Sequence, residues 1–451
     1  MTHNNDLHYF SNDRIRMAYD PNTMQFYRLT DTTDNHFTSS PAPSTASCAT
    51  QNVSTTTPTL GRLVLIVTTH CNLRCRYCYA EGGGYGMELQ HMQPALAHKA
   101  LNWVLQLFSG IDTIQFFGGE PALNCAVIEA ICDDLQQRHT TEQLERLPQY
   151  TMVTNGTLLP PKLERIFEHY PFHITFSIDG TTEVHNANRI FTDGTGSWRC
   201  TMEHFQQLRR QGNVSLGVEM TFTPQALIAG YGVWEIAQFS RTELGLPEPH
   251  IVPVQGATDE NLHWNGLADV AIASYRAAAR TALQSLLEGD YTSFSIVIGI
   301  LRTLILRQGR KVICPAGITT LAVDPSGDVY PCFMFAGQAQ FNLGNVNHAP
   351  DIPGFSHKLE AFVHHNLKQS HANCRTCWAR ELCTGCIGGN WLDAGNLDGE
   401  SPLMCGIMQA VAEETMLFLG EAQSDPTRWQ QFVKQYRALR LDQVTIARDA
   451  I

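Results

Sequence analysis

Between residues 62 and 253 the chain repeats one pattern, a short apolar run followed by a longer amphipathic segment. The runs at 62–68, 113–117, 150–154, 173–178, 215–222 and 250–253 predict strands, and helical periodicity over 94–108 and 125–137 places helices between them. Alternating β and α units predict a parallel sheet, and about six of them predict a partial (β/α)6 TIM-like barrel. In such a barrel functional residues gather at the carboxyl ends of the strands. Upstream, residues 7–28 alternate apolar and polar positions around Asp20-Pro21-Asn22, the pattern of a β-hairpin. Residues 30–59 are rich in Thr, Ser, Pro and Asn, a composition that cannot sustain a core and predicts a flexible linker. The expected division is therefore a hairpin (1–29), a linker (30–59), the barrel (60–290), a cysteine-rich domain (291–420) and a helical tail (421–451).

At 451 residues and 43% apolar content, the chain has ample material for a barrel and an appended domain. The net charge of −12, with no sustained run of Lys or Arg, lacks the electrostatic footprint of a nucleic-acid-binding protein. The amino terminus has neither a basic nor an apolar signal region. The apolar stretch at 296–306 is broken by Arg302 and too short to span a bilayer, so a cytoplasmic chain without membrane partners is expected. Fourteen cysteines in such a chain read as metal ligands more readily than as disulfides.

Three of them, Cys71, Cys75 and Cys78, lie in the string CNLRCRYC directly after the first predicted strand. Soft thiolates at this separation suit an iron–sulfur cluster or zinc. Structural zinc closes with four protein ligands, and nearby His70 abuts Cys71 too closely to share its metal. A 4Fe-4S cube with three thiolates leaves one iron for a ligand that is not protein. Gly118-Gly119-Glu120-Pro121 follows the second strand, Thr154-Asn155-Gly156 the third, and Ser177 and Asp179 close the fourth. Taken alone, Gly-Gly-Glu is a turn, and Arg189 in EVHNANRIF is a solvated loop residue.

CxxxCxxC with Tyr77 before its last cysteine resembles the signature of the radical S-adenosylmethionine (SAM) superfamily. The resemblance implies that SAM chelates the open iron and, on reduction, yields a 5′-deoxyadenosyl radical. Cys71, Cys75 and Cys78 then become catalytic cluster ligands, and Gly118, Gly119, Glu120 and Pro121 the motif for SAM's amino group. Thr154, Asn155, Ser177 and Asp179 would meet its ribose and carboxylate. His185 and Arg189 resemble a His-x-x-x-Arg element of peptide-modifying members, in which the planar guanidinium pairs with SAM's carboxylate. Met220 reads as core, with an adenine contact as the alternative.

A second cysteine field begins at Cys314. Cys314 and Cys332 flank a predicted hairpin that turns at 324–327, and Cys374, Cys377, Cys383, Cys386 and Cys405 follow. The C-x2-C-x5-C-x2-C portion suits structural zinc as well as iron–sulfur. Seven cysteines in this order resemble the SPASM domain. That resemblance implies one auxiliary 4Fe-4S cluster on Cys374, Cys377, Cys383 and Cys405, and another with an open iron on Cys314, Cys332 and Cys386, making three clusters in all. Cys48, Cys125, Cys132 and Cys200 remain as packing residues.

The expected function is modification of a ribosomally synthesised precursor peptide by an internal crosslink. A thioether is favoured, because an open auxiliary iron offers a place for a substrate thiolate. A carbon–carbon or ether crosslink is the runner-up. An anaerobic sulfatase maturase is weaker, since Phe333 and Met334 stand after Cys332 where an aspartate base is common. A non-catalytic Fe-S or zinc peptide-binding protein is the alternative from another class. Expected partners are the precursor peptide and an electron donor such as flavodoxin or ferredoxin. The amino-terminal hairpin resembles the first strands of a leader-binding module, and it equally reads as a cover for the barrel.

Overall fold

The computed structural model describes residues 7–29, 38–39 and 58–439. An amino-terminal antiparallel sheet contains β1 (His8–Ser11), β2 (Arg16–Asp20), β3 (Gln25–Leu29) and β4 (Thr38–Ser39). The predicted turn joins β2 to β3, where the Asp20 carboxylate accepts from the Asn22 N–H (2.9 Å) and the Thr23 hydroxyl (2.9 Å). The expected hairpin is thus one part of a larger sheet. The linker expected at 30–59 lies outside the described residues except for 38–39, which pair with β3, and 58–59.

The main sheet has nine strands. β5 (Leu60–Thr68), β6 (Ile111–Gly118), β7 (Gln149–Thr154), β8 (Phe172–Ser177), β9 (Ser215–Phe222) and β10 (His250–Pro253) are parallel neighbours in chain order. They coincide with the six apolar runs, to within two residues at each end. The helices Pro94–Leu105 and Cys125–Thr140 fall where the periodicity put them, the first opening on a proline, whose missing N–H costs nothing in a first turn. One set of alternating side chains, Leu63, Leu65, Ile114, Phe116, Met152, Ile174 and Phe176, joins the core shared with the helices. The other set mixes buried polar residues, Arg62, Thr113, Gln115, Thr151 and Thr175, with Val64, Ile66 and Ala322, which form a second apolar cluster with Tyr85, Tyr330 and Phe335.

The cysteine-rich segment continues this sheet. β11 (Thr320–Val323) runs parallel to β5 on its free side, and β12 (Asp328–Tyr330) and β13 (Gly344–Asn345) follow antiparallel. The expected hairpin turn holds: the Asp324 carboxylate accepts from the N–H groups of Ser326 (2.8 Å) and Asp328 (3.0 Å). The expected boundary at 420/421 falls inside one helix, Pro402–Gln423, which packs against the helices Ala268–Glu288, Ser295–Leu306 and Pro426–Ala438. This helix, longer than the apolar stretch at 296–306, is long and apolar enough to cross a membrane, yet 67% of its most apolar window is buried against protein, as in a core helix. The amino-terminal sheet covers it: Ile15 and Met17 pack on Leu417, and the His8 ring stacks on Trp378 at 3.9 Å. The sheet therefore lies over the carboxy-terminal helix and the cysteine-rich segment.

Candidate active site

The loop after β5 carries Cys71, Cys75 and Cys78, all partly exposed. Its two ends are tied where the Thr69 N–H donates to the Gln90 carbonyl (3.0 Å) and the Gln90 N–H to the Thr69 hydroxyl (2.7 Å). Backbone N–H groups already point at two of the sulfurs, Leu73 at Cys71 (3.4 Å) and Gly82 at Cys78 (3.3 Å). Three neighbours hold the loop. The Arg74 and Arg76 N–H groups donate to the carbonyls of Ile190 (2.7 Å) and Asn188 (3.0 Å), strapping it to the segment that holds Arg189. Asn72 donates to the Thr157 hydroxyl (2.7 Å) and accepts from the Asn155 amide (3.0 Å). The Gly119 and Glu120 N–H groups donate to the carbonyls of Thr68 and His70, both at 2.9 Å. This last contact is so close that a Cβ on Gly119 would sit 2.2 Å from the His70 oxygen, and one on Gly118, with φ +138°, would sit 2.3 Å from that of Thr68.

Glu120 is fully buried. Its carboxylate accepts from the Ala122 N–H (3.0 Å), the Thr154 hydroxyl (2.7 Å) and the Asn155 N–H (2.8 Å), fixing the end of β6 to that of β7. Burial pushes its pKa up to about 6 against these three donors. A carboxylate offers about four acceptor positions, so one is left for a cation. Pro121 opens the short turn that Glu120 caps.

Asp179, 1% exposed, accepts from the Tyr77 hydroxyl (2.5 Å), Arg189 Nε (3.1 Å) and the Thr221 N–H (3.0 Å). The Arg189 guanidinium lies over the Tyr77 ring at 5.3 Å from its centre. Arg189 is thus already paired, and a ligand carboxylate would have to use its terminal nitrogens. His185 sits beneath: its Nδ1 accepts from the Asp179 N–H (3.4 Å), so the proton of the neutral ring is on Nε2, 2.9 Å from the Ser197 hydroxyl, which in turn donates to the Arg189 carbonyl (2.8 Å). Burial lowers the His185 pKa to about 4. Ser177 closes β8 opposite Glu219, and Met220 is wholly buried in the core. Cys125 and Cys132 are buried and Cys200 half-buried, while Cys48 lies outside the described residues.

Burial pushes the Cys71 thiol up to about 12 and that of Cys75 to about 11, the latter against the pull of nearby Arg189. Such thiols stay protonated at neutral pH unless a metal takes the proton's place. Among the described residues, no three His, Cys, Asp or Glu side chains are grouped tightly enough to hold a single metal ion.

The remaining cysteines form two groups. Cys314, Cys332 and Cys386 influence one another's ionisation; Cys386 is exposed and the other two are half-buried, packing against the apolar cluster of Val64, Ile66, Tyr330 and Phe335. Asn366, with no exposed surface, accepts from the Cys314 N–H (3.1 Å) and donates to the Cys314 and Ala316 carbonyls (2.8 and 2.7 Å). Cys374, Cys377, Cys383 and Cys405 form the second group by the same mutual influence. The buried ammonium of Lys368 donates to the carbonyls of Cys383 (2.7 Å), Arg310 (3.0 Å) and Arg380 beside it. The sequence reading singled out neither Asn366 nor Lys368, because nothing in their neighbourhood marks them. Arg62 carried a visible signal, a charge inside the apolar string LGRLVLIV.

This arrangement is that of a radical SAM protein with a SPASM extension. Residues 65–224 match the radical SAM superfamily, and residues 314–378 match SPASM, an iron–sulfur cluster-binding domain, so SAM and iron–sulfur clusters are its cofactors. The radical SAM cyclopropyl synthase TigE of Paramaledivibacter caminithermalis is 28% identical over 356 residues, covering 74% of this chain and 69% of TigE. The cysteine-type anaerobic sulfatase-maturating enzyme of Clostridium perfringens is 22% identical, covering 73% and 88%. An uncharacterized protein of Methanocaldococcus jannaschii is 32% identical over 37% of this chain and 54% of its own length. Among solved structures, native anSMEcpe with bound AdoMet and Kp18Cys peptide has a TM-score of 0.66 at 19% identity, covering 82% of this chain and all of that one. Streptococcus suis SuiB bound to precursor peptide SuiA has 0.53 at 14% identity, covering 77% and 76%. These likenesses show the shared fold.

Two outcomes follow from the loop contacts and from His185. Gly119→Ala forces the cysteine loop off the Gly-Gly-Glu turn, and is expected to cost about 2–3 kcal/mol in denaturant unfolding and to lower iron content after anaerobic reconstitution. His185 titrates at about 4 when folded and near 6.5 when unfolded. Its contribution is therefore complete above pH 6.5 and is lost as pH falls through 4, about 3 kcal/mol in total. His185→Gln should be less stable at pH 7 and should lack that component when unfolding free energies of the two proteins are subtracted across pH 7 to 4.

Proposed function

We propose that this chain modifies a ribosomally synthesised precursor peptide by closing an internal thioether: a carbon gives one hydrogen atom to the deoxyadenosyl radical, the cysteine thiol gives up its proton, and the electron left over as the carbon–sulfur bond forms passes to an auxiliary cluster. The observation that carries this reading is that two separate sets of three cysteines belong to one sheet, Cys71, Cys75 and Cys78 after β5, and Cys314, Cys332 and Cys386 around β11 and β12. A cube held by three thiolates leaves one iron open, so each set offers a place for a ligand from outside the chain. Cys374, Cys377, Cys383 and Cys405 fill all four positions of a third cluster.

With a reduced cluster on the first set, bound SAM supplies a 5′-deoxyadenosyl radical, chemistry that belongs to the cofactor. The chain's own residues orient and enclose it. Glu120 has an acceptor position for the SAM ammonium, the terminal nitrogens of Arg189 suit its carboxylate, and Thr154, Asn155 and Ser177 supply polar contacts at the strand ends. Tyr77, Asp179 and His185 hold Arg189 in place. An external donor of the flavodoxin or ferredoxin class supplies the electron.

SuiB, solved bound to precursor peptide SuiA, and anSMEcpe, solved with Kp18Cys peptide, support a peptide substrate. TigE, as a cyclopropyl synthase, favours a second reading in which the new bond joins two carbons. Formylglycine formation is less favoured despite the sulfatase-maturating relative. Phe333, packed on Phe117 with ring centres 4.3 Å apart, stands after Cys332 and cannot take a proton.

The test is anaerobic turnover of the reconstituted protein with SAM, dithionite and a cysteine-containing peptide encoded beside its gene. About twelve irons per chain, deoxyadenosine, and a peptide lighter by two hydrogens with one thiol lost to alkylation are expected. Loss of two hydrogens with every thiol still alkylatable would replace the thioether by the carbon–carbon reading. Absence of deoxyadenosine would remove the enzymatic reading, and Cys75→Ala should abolish deoxyadenosine formation altogether.

A further inference from the structure

Arg62 lies near the start of β5, in a strand that is otherwise apolar up to Val67 apart from Gly61. Its backbone N–H donates to the Thr319 carbonyl (2.7 Å), and it pairs in register with Thr320 of β11, so it stands where the barrel meets the cysteine-rich segment. The side chain is 7% exposed, yet its Nε and Nη1 have no hydrogen-bond partner among the described residues. A guanidinium in that position is costly: taking a charge out of water without a matched acceptor costs several kcal/mol. The sequence does nothing to avoid the cost, since neither a backbone carbonyl nor a side-chain carboxylate meets those two nitrogens.

The titratable neighbours of Arg62 come from several elements, and the backbone brings two of those segments together, the Thr320 N–H donating to the Pro315 carbonyl (3.2 Å) and the Gly317 N–H to that of Pro331 (3.0 Å). These neighbours are the thiols of Cys332, after β12, of Cys314, ahead of β11, and of Cys386, at the start of the helix Ile387–Ala394, together with the Glu219 carboxylate of β9. Three of these four are the cysteines of the proposed auxiliary set, and Cys314 and Cys332 pack against the same apolar cluster as Val64, two residues along β5 from Arg62 on the same face. An unsatisfied, planar, charged donor held among those thiols suits the anionic cluster they would hold.

We propose that Arg62 is the counter-charge and hydrogen-bond donor of the auxiliary cluster held by Cys314, Cys332 and Cys386, and that it sets that cluster's reduction potential. The proposal rests on the auxiliary-cluster reading above. A cluster that takes up one electron gains one negative charge, and a fixed positive charge in a low-dielectric surrounding favours the more negative form. Arg62 thus raises the potential and makes this cluster a better electron acceptor. Hydrogen bonds to cluster sulfurs act in the same direction. Arg62 is a positioning residue, reaching the chemistry through the cluster.

The experiment is an EPR-monitored redox titration of the full-length, anaerobically reconstituted protein as wild type, Arg62→Met, Arg62→Lys and Cys314→Ala. The signal lost in Cys314→Ala identifies the cluster concerned. In Arg62→Met the ratio of reduced to oxidised cluster at fixed potential should fall at least tenfold, which is a 59 mV downward shift for a one-electron couple. Arg62→Lys, which keeps the charge, should shift by less, and the remaining signals should not move. An unshifted signal in Arg62→Met would overturn the proposal. If Arg62→Met loses that cluster, retention in Arg62→Lys supports the counter-charge, and loss from both overturns it. Should Cys314→Ala leave the iron content and every signal unchanged, the auxiliary-cluster reading itself fails, independently of Arg62.

Discussion

The site depends on a backbone-to-backbone contact. Gly118 and Gly119 run against the carbonyls of Thr68 and His70 with no room for a Cβ. Glu120 and the cysteine loop, the two parts proposed to meet the same small ligand, come from different strands. Side-chain contacts between them would leave several rotamers for each. Two hydrogen bonds between main chains leave almost none, because each fixes φ and ψ on both loops. Everything else at the barrel mouth is registered from that contact. Glu120 reaches β7 through Thr154 and Asn155, Asn155 reaches back to Asn72, and the 188–191 segment closes the ring by pairing with Arg74 and Arg76.

Buried polarity is the recurring means of holding these pieces. Asp179, Arg189, Tyr77 and His185 form one buried network at the mouth, and every link is a hydrogen bond between groups that would be expensive to leave alone. Asn366 and Lys368 do the same for the two auxiliary cysteine groups, each spending its donors on backbone carbonyls of segments that carry cysteines. Such networks fix geometry because a partial rearrangement leaves an unpaired group in low dielectric. Among the buried atoms left without a partner in the described residues are Arg62 Nε and Nη1 and Gln115 Oε1, which share one face of the main sheet.

Much of this was legible in the chain itself, for a physical reason. Parallel strands buried on both faces read as compact apolar runs, so β5 to β10 could be located to within about two residues. Cysteine spacing is likewise local, and Cys71, Cys75 and Cys78 are brought together by a loop only a few residues long. What the sequence could not reveal depends on long-range contact. Asn366 lies 52 residues from Cys314 and finds it only because two chain segments pass each other. The amino-terminal sheet alternates like any hairpin, and nothing in its pattern says that it will cover the helix Pro402–Gln423. That helix in turn has the composition of a free-standing apolar segment, and becomes a core helix only because the sheet and three other helices bury it. Arg189 was expected to face a ligand, and the structure adds that Asp179 claims its Nε first, a pairing between residues ten apart that no spacing rule anticipates.

β5 ties the two halves of the molecule into one device. Arg62 lies near its beginning and the cysteine loop leaves its end, and the six residue steps from Arg62 to Thr68 span roughly 20 Å along the strand. Under the proposed function, a substrate along the barrel interior would lie near the first cysteine loop at one end and the Cys314, Cys332 and Cys386 group at the other. Because β11 is hydrogen-bonded directly to β5, that distance is set by a single continuous sheet rather than by a hinge between domains. A rigid span suits a reaction in which hydrogen leaves at one place and charge must be accepted at another. On the face that carries Arg62, the buried polar residues Thr113, Gln115, Thr151 and Thr175 stand among Val64, Ile66 and Phe117, so this span combines hydrogen-bonding groups with close apolar packing.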